Sequence, residues 1–181
     1  MAYDKRFDQV RSLPRAIQDE IIREGEAHLD AQLQSANASD QRAMAWAGFL
    51  ITIATAAVGG AFALLLTKQH DAIAGVAFGF AVSTIASAIF AMNAVRPSKF
   101  CFPGNSPENW LPENWTDPPV PESAMSQARA EQASALNNRI AENRKWADST
   151  GRYLRLSMDF SIASVCFWAV MAVFVAMISE Y

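Results

Sequence analysis

Three long apolar runs set the pattern of this chain. Residues 44–66 and 72–95 contain no charged side chain, and a third uncharged run covers 160–179. About 20 apolar residues suffice to cross a hydrocarbon core roughly 30 Å thick, so each run predicts a membrane-spanning helix. Thr67-Lys68-Gln69-His70-Asp71 joins the first two, and a connection this short predicts a helical hairpin.

The polar stretches carry helical spacing of their own. Ile22, Leu29, Leu33, Ala36 and Ala43 fall on one side of a helix. The first dozen residues are mixed and read as frayed, with Ser12 as the expected cap and Pro14 in the first turn. No proline follows Pro14 before the first apolar run, so one helix can continue into the membrane. Gly25 is its weak point, since glycine costs about 1 kcal/mol relative to alanine in a helix interior, and it marks a candidate break. Residues 122–156 are also proline-free, with Ala133, Leu136, Ile140, Ala147 and Leu154 on one side and the polar Asn143 interrupting that face. Gly151 is a candidate kink ahead of the third run. Neither polar helix is strongly apolar, which predicts a cytoplasmic helical bundle completed by neighbouring subunits.

The division that follows is a cytoplasmic N-terminal helix (1–43), a transmembrane hairpin (44–95), a loop (96–121), a cytoplasmic helix (122–156) and a third transmembrane helix (157–181). The loop holds seven of the eight prolines and the tandem repeat Pro107-Glu108-Asn109-Trp110-Leu111, Pro112-Glu113-Asn114-Trp115-Thr116. Proline fixes φ and disfavours helix in the residue before it, so this segment is expected to be extended and turn-rich. Arg96, Lys99, Phe100, Trp110 and Trp115 are its candidate ligand-binding residues. A planar base stacks on aromatic rings, and a phosphate pairs with Arg or Lys. The alternative is that the aromatics anchor the loop at lipid headgroups or on the cytoplasmic helices.

Small residues recur every four positions within the first two spans. Gly48, Thr52, Ala56 and Gly60 form one stripe, and Gly75, Gly79, Ser83, Ser87 and Ala91 another. Helices in lipid associate through close packing of small faces. Gly48, Thr52, Gly60, Gly75, Gly79, Ser83 and Ser87 are therefore the candidate oligomer or pore face, with packing of the hairpin on itself as the alternative. Asp159 stands at the start of the third run, either as a gate or as a solvated interfacial carboxylate.

Charge adds the topology. Six basic residues precede the first span, eight lie between the second and third, and Lys68 alone occupies the hairpin turn. The positive-inside rule then puts the N-terminus and the segment before the third span in the cytoplasm. With 15 Lys plus Arg against 18 Asp plus Glu, nothing points to a nucleic-acid polymer as partner. The charged, helical N-terminal stretch argues against a cleavable signal peptide. Cys101 and Cys166 make neither a disulfide framework nor a metal site. His70 and Asp71 lie a bilayer away from Asp159, so no catalytic constellation or cofactor is expected, and the chain does not read as an enzyme.

Three short stretches carry a family resemblance: Ser39-Asp40-Gln41-Arg42-Ala43, Asn93-Ala94-Val95-Arg96-Pro97, and Arg152-Tyr153-Leu154-Arg155-Leu156 running on through Ser157-Met158-Asp159-Phe160. Together they resemble the membrane effectors of Pycsar anti-phage systems and, more loosely, the SLATT effectors, from about Leu29 onward. The resemblance implies a bacterial inner-membrane protein that stays quiescent until a cytosolic messenger accumulates. That messenger is implied to be a cyclic pyrimidine mononucleotide made by a partner cyclase. The expectation is therefore an all-α integral membrane protein with three transmembrane helices and a homo-oligomeric assembly in the bilayer. It would disrupt or permeabilise the inner membrane when a cyclic nucleotide triggers it from the cytosol. The alternative is a membrane anchor or scaffold that recruits a cytosolic protein through its helices and Trp-rich loop.

Overall fold

The computed structural model describes residues 5–67, 71–95, 100–104 and 122–179. Among them the regular elements are all helical: a 3-10 helix, Lys5–Ser12, then α1 (Arg15–Thr67), α2 (Asp71–Ala94) and α3 (Glu122–Ser179). Three of the helices are long and apolar enough to cross a membrane, as the hydropathy pattern predicts for an all-α membrane protein.

The start of α1 differs from expectation. The Pro14 carbonyl accepts from the amides of Ile17 and Gln18, so the helix begins beyond the proline. Ser12 does not cap it. The Ser12 hydroxyl donates to the Gln9 carbonyl at 2.8 Å, closing the 3-10 helix that replaces the expected frayed end. From there α1 runs 53 residues without interruption. Gly25 is therefore no break, and Gly151 likewise lies within an unbroken α3 of 58 residues.

The chain divides into two compact units. The first comprises Met1–Asn37 and Ser98–Ala147. Here α1 and α3 run parallel, since Gln18 meets Arg129, Gly25 meets Leu136 and Gln32 meets the Ile140 carbonyl. A Cβ on Gly25 would lie 3.0 Å from Leu136 Cδ1, so the missing side chain is what lets Leu136 come in. Leu29, Ala130, Ala133 and Leu136 fill the seam, and each buried leucine contributes about 1.5–3 kcal/mol. At its N-terminal end, Arg129 is almost wholly covered. Its Nε reaches Asp19 at 3.1 Å and its Nη1 reaches Glu122 at 2.9 Å. A guanidinium this buried is tolerable only when so paired.

The second unit comprises Ala38–Pro97 and Asp148–Tyr181. Its buried positions are nearly all small: Ala43, Ala47 and Ala54 on α1, Ala81, Ala88 and Ala91 on α2, and Ser157, Ser161 and Ser164 on α3. The large apolar residues point outward, Phe62, Ile89, Ile162 and Val170 among them. Only 11–28 % of each apolar window is buried, which suits helices whose outer faces meet lipid and whose inner faces pack by small-residue contact.

Candidate functional site

Where α2 faces the apolar half of α3, hydroxyl groups form a continuous seam. The Ser87 hydroxyl donates to the Ser157 carbonyl at 2.7 Å, and the Ser157 hydroxyl returns a bond to the Ser87 carbonyl at 2.8 Å. Ser161 joins Ser87 through its own hydroxyl. One turn further along, Ser83 pairs with Ser164, and the Trp168 indole N–H donates to Ser83 at 3.0 Å. At the other end the Trp46 indole N–H donates to Ser157 at 3.1 Å, tying α1 into the same seam. The spacing makes this possible, because Ser83 and Ser87 are one turn apart and so are Ser157 and Ser161. Polar groups inside a bundle at membrane depth need partners, and these find them in one another.

Gly79 completes this face. A Cβ there would collide with the Trp168 indole, lying 2.6 Å from Cζ2 and 2.8 Å from Cζ3. The glycine is the notch that admits the ring.

The small residues singled out by spacing therefore divide into two groups. Gly79, Ser83 and Ser87 meet α3 of their own chain. Gly48, Thr52, Gly60 and Gly75 are exposed, and a Cβ on any of these glycines would meet nothing within 4 Å. The Thr52 hydroxyl donates to the Gly48 carbonyl at 2.9 Å, so it is satisfied by its own helix while the surface around it stays open. Asp159 is exposed on α3.

Among the loop candidates, Arg96, Lys99, Trp110 and Trp115 lie outside the described residues. Phe100 is described and sits edge-on to Trp146, with ring centroids 5.3 Å apart, and to Phe102 at 6.0 Å. The residue beside it is gripped. Asn143, 1 % exposed, accepts from the Cys101 amide at 2.8 Å and donates to the Cys101 carbonyl at 2.9 Å. Arg139 donates to the Gly104 carbonyl at 2.6 Å, where a φ of 91° suits glycine. The polar residue that interrupts the apolar face of α3 is thus a backbone clamp. Burial pushes the Cys101 thiol above its ordinary pKa, and its hydrogen bond to Glu142 adds to the rise.

Two features carried no sequence signal that spacing could read. Asp40 lies one turn ahead of the first apolar run, its Oδ1 buried without a hydrogen-bond partner, and that burial raises its pKa. An apolar cleft of about 220 Å³ opens within the second unit, with Trp46, Phe49, Phe80, Ile162 and Cys166 among its walls. Among the described residues no group of three His, Cys, Asp or Glu side chains is placed to hold a metal ion.

Comparison with known proteins is informative at the level of the family. No curated protein and no solved structure matches the chain. A family model described as the Pycsar effector protein domain, PycTM, matches residues 28–177. That stretch is more than four fifths of the chain. It takes in the first two apolar runs, the third as far as Met177, the Asn143 clamp and the hydroxyl seam. Together with the three span-length helices it bears out the resemblance carried by the residues around Asp40, Val95 and Leu154: this chain belongs to the Pycsar effector family and is a membrane effector of anti-phage signalling.

Proposed function

We propose that this effector assembles into homo-oligomers in the bacterial inner membrane and permeabilises it when a cyclic mononucleotide from a partner cyclase reaches its cytoplasmic unit. The observation that carries the reading is the division of the small residues. The span hydroxyls of the seam are bonded within the chain, so one copy keeps no polar surface there to offer water. Gly48, Gly60 and Gly75 remain open on the outer faces of the hairpin, where a second copy can approach closely without displacing a side chain. A water path then forms between copies, with the N-terminus cytoplasmic and Asp159 at the inner mouth as gate.

The test is membrane potential in bacterial cells expressing the protein, with and without a co-expressed nucleotide cyclase. Depolarisation is expected only when both are present. Gly48→Leu with Gly60→Leu should abolish it while the amount of protein in the membrane fraction stays constant. Unchanged potential with every cyclase tried would overturn the reading and favour an anchor that recruits a cytosolic partner.

A further inference from the structure

The first unit contains a cavity of about 340 Å³ between the 3-10 helix and α3, walled by Arg6, Phe7, Gln9, Val10, Leu13 and Asn137. Five of its six wall residues lie upstream of the matched stretch 28–177, so the family match assigns it nothing. A short polar helix of eight residues has little reason to hold its place by itself, yet this one is fastened on several sides. Gln18, 1 % exposed, donates to the Leu13 carbonyl at 2.8 Å and to the Arg11 carbonyl at 3.4 Å. Its own carbonyl oxygen accepts from Arg129 at 3.4 Å. The Arg11 guanidinium reaches across to Gln127 of α3 at 3.1 Å. The wall is thereby fixed before anything occupies the cavity, and pre-organisation of this kind lowers the entropic cost of binding.

The lining has a definite chemical character. Phe7 supplies a ring for stacking, Arg6 a cation that suits phosphate, and Gln9 and Asn137 two amides that can donate and accept at a base edge. Val10 and Leu13 give an apolar floor, and the volume lies within the range of small-ligand pockets. We propose that this cavity is the receptor for the cytosolic trigger, taking a planar heteroaromatic ring that carries a phosphate. The proposal rests on the reading that a cyclic nucleotide activates the effector, and it gives that nucleotide a site. Binding there joins the already fixed 3-10 helix and α3 through one ligand.

Binding of the four common 3′,5′-cyclic mononucleotides to the full-length protein in detergent, by calorimetric titration, tests it. The variants are Phe7→Ala, Arg6→Gln, Asn137→Ala and the paired Trp110→Ala/Trp115→Ala. One nucleotide should bind the unaltered protein. Phe7→Ala and Arg6→Gln should each weaken it roughly tenfold or more, since one stacked base is worth about that much, and the paired Trp variant should bind normally. Arg6 and Asn137 are exposed and Phe7 is half-buried, and thermal unfolding measured on each variant separates loss of the site from loss of the fold. If the unaltered protein binds and the cavity variants bind equally well, the site is wrong while the nucleotide trigger stands. Loss of binding in the paired Trp variant alone would give the receptor to the loop and overturn the cavity. If none of the four binds, the trigger reading fails and takes this proposal with it.

Discussion

Replacing Gly79 with alanine puts a methyl group into space held by the Trp168 ring. Its Cβ would lie 2.6 Å from Cζ2 and 2.8 Å from Cζ3, whereas carbons pack comfortably at about 3.5–4.0 Å. Cη2 of the ring lies nearer still, so the indole must retreat by more than about 1 Å, and overfilling a packed interface costs about 1–3 kcal/mol. Retreat also lengthens the indole bond to Ser83, now 3.0 Å, and a side-chain bond between membrane helices is worth about 0.6 kcal/mol, at most about 1.7. The expected loss for Gly79→Ala is therefore roughly 2–4 kcal/mol. Trp168→Leu removes the obstacle, so the double variant should be more stable than the sum of the two single losses predicts, with a coupling of about 1–3 kcal/mol. Equilibrium unfolding by SDS in mixed micelles, followed by near-UV circular dichroism, measures all four corners of the cycle. Additivity within about 0.5 kcal/mol would refute the notch. A fall in oligomer size with monomer stability unchanged would instead place Gly79 between subunits.

Three further perturbations read other parts of the structure. Ser87→Ala removes the donor to the Ser157 carbonyl and the partner of Ser161, and the same unfolding assay should register a loss of about 1–2 kcal/mol. Asn143→Ala leaves the Cys101 amide and carbonyl without their side-chain partner, so alkylation of Cys101 by iodoacetamide should accelerate while Cys166 reacts as before. Burial raises the Asp40 pKa in the folded protein, so the folded state holds its proton more tightly than the unfolded chain. Its contribution to stability is greatest below the unfolded pKa and is lost as pH rises through the folded value. Asp40→Asn should therefore be more stable than the parent at neutral pH, with the difference shrinking as pH falls. A constant difference across the titration would contradict the buried carboxylate.

Much of the fold was legible because membrane spans announce themselves locally: uncharged length gives the helix, and proline placement gives its continuity. What escaped depends on partners far away in sequence. Gly75 and Gly79 share one stripe by spacing, yet only Gly79 faces Trp168, 89 residues further on. Gly25 reads as a break until Leu136 comes against it. Asn143 reads as an interruption of an apolar face, and the backbone it clamps belongs to Cys101. Ser12 offers the right side chain for a cap, but the proline two residues later shifts the helix start and leaves its hydroxyl to Gln9. Trp46 and Trp168 lie within apolar runs, where an indole N–H has meaning only beside its acceptor. Of the candidate site, spacing alone picks out the seven small residues, whereas their division into open and packed positions needs α3.

Dye release from liposomes containing the purified protein, with each cyclic mononucleotide added in turn, tests triggered permeabilisation most directly. Release is expected with one nucleotide and none without it, and Gly48→Leu with Gly60→Leu should abolish that release at equal insertion. Correctly inserted protein that releases dye under no condition, or equally under all, would contradict a gated membrane effector.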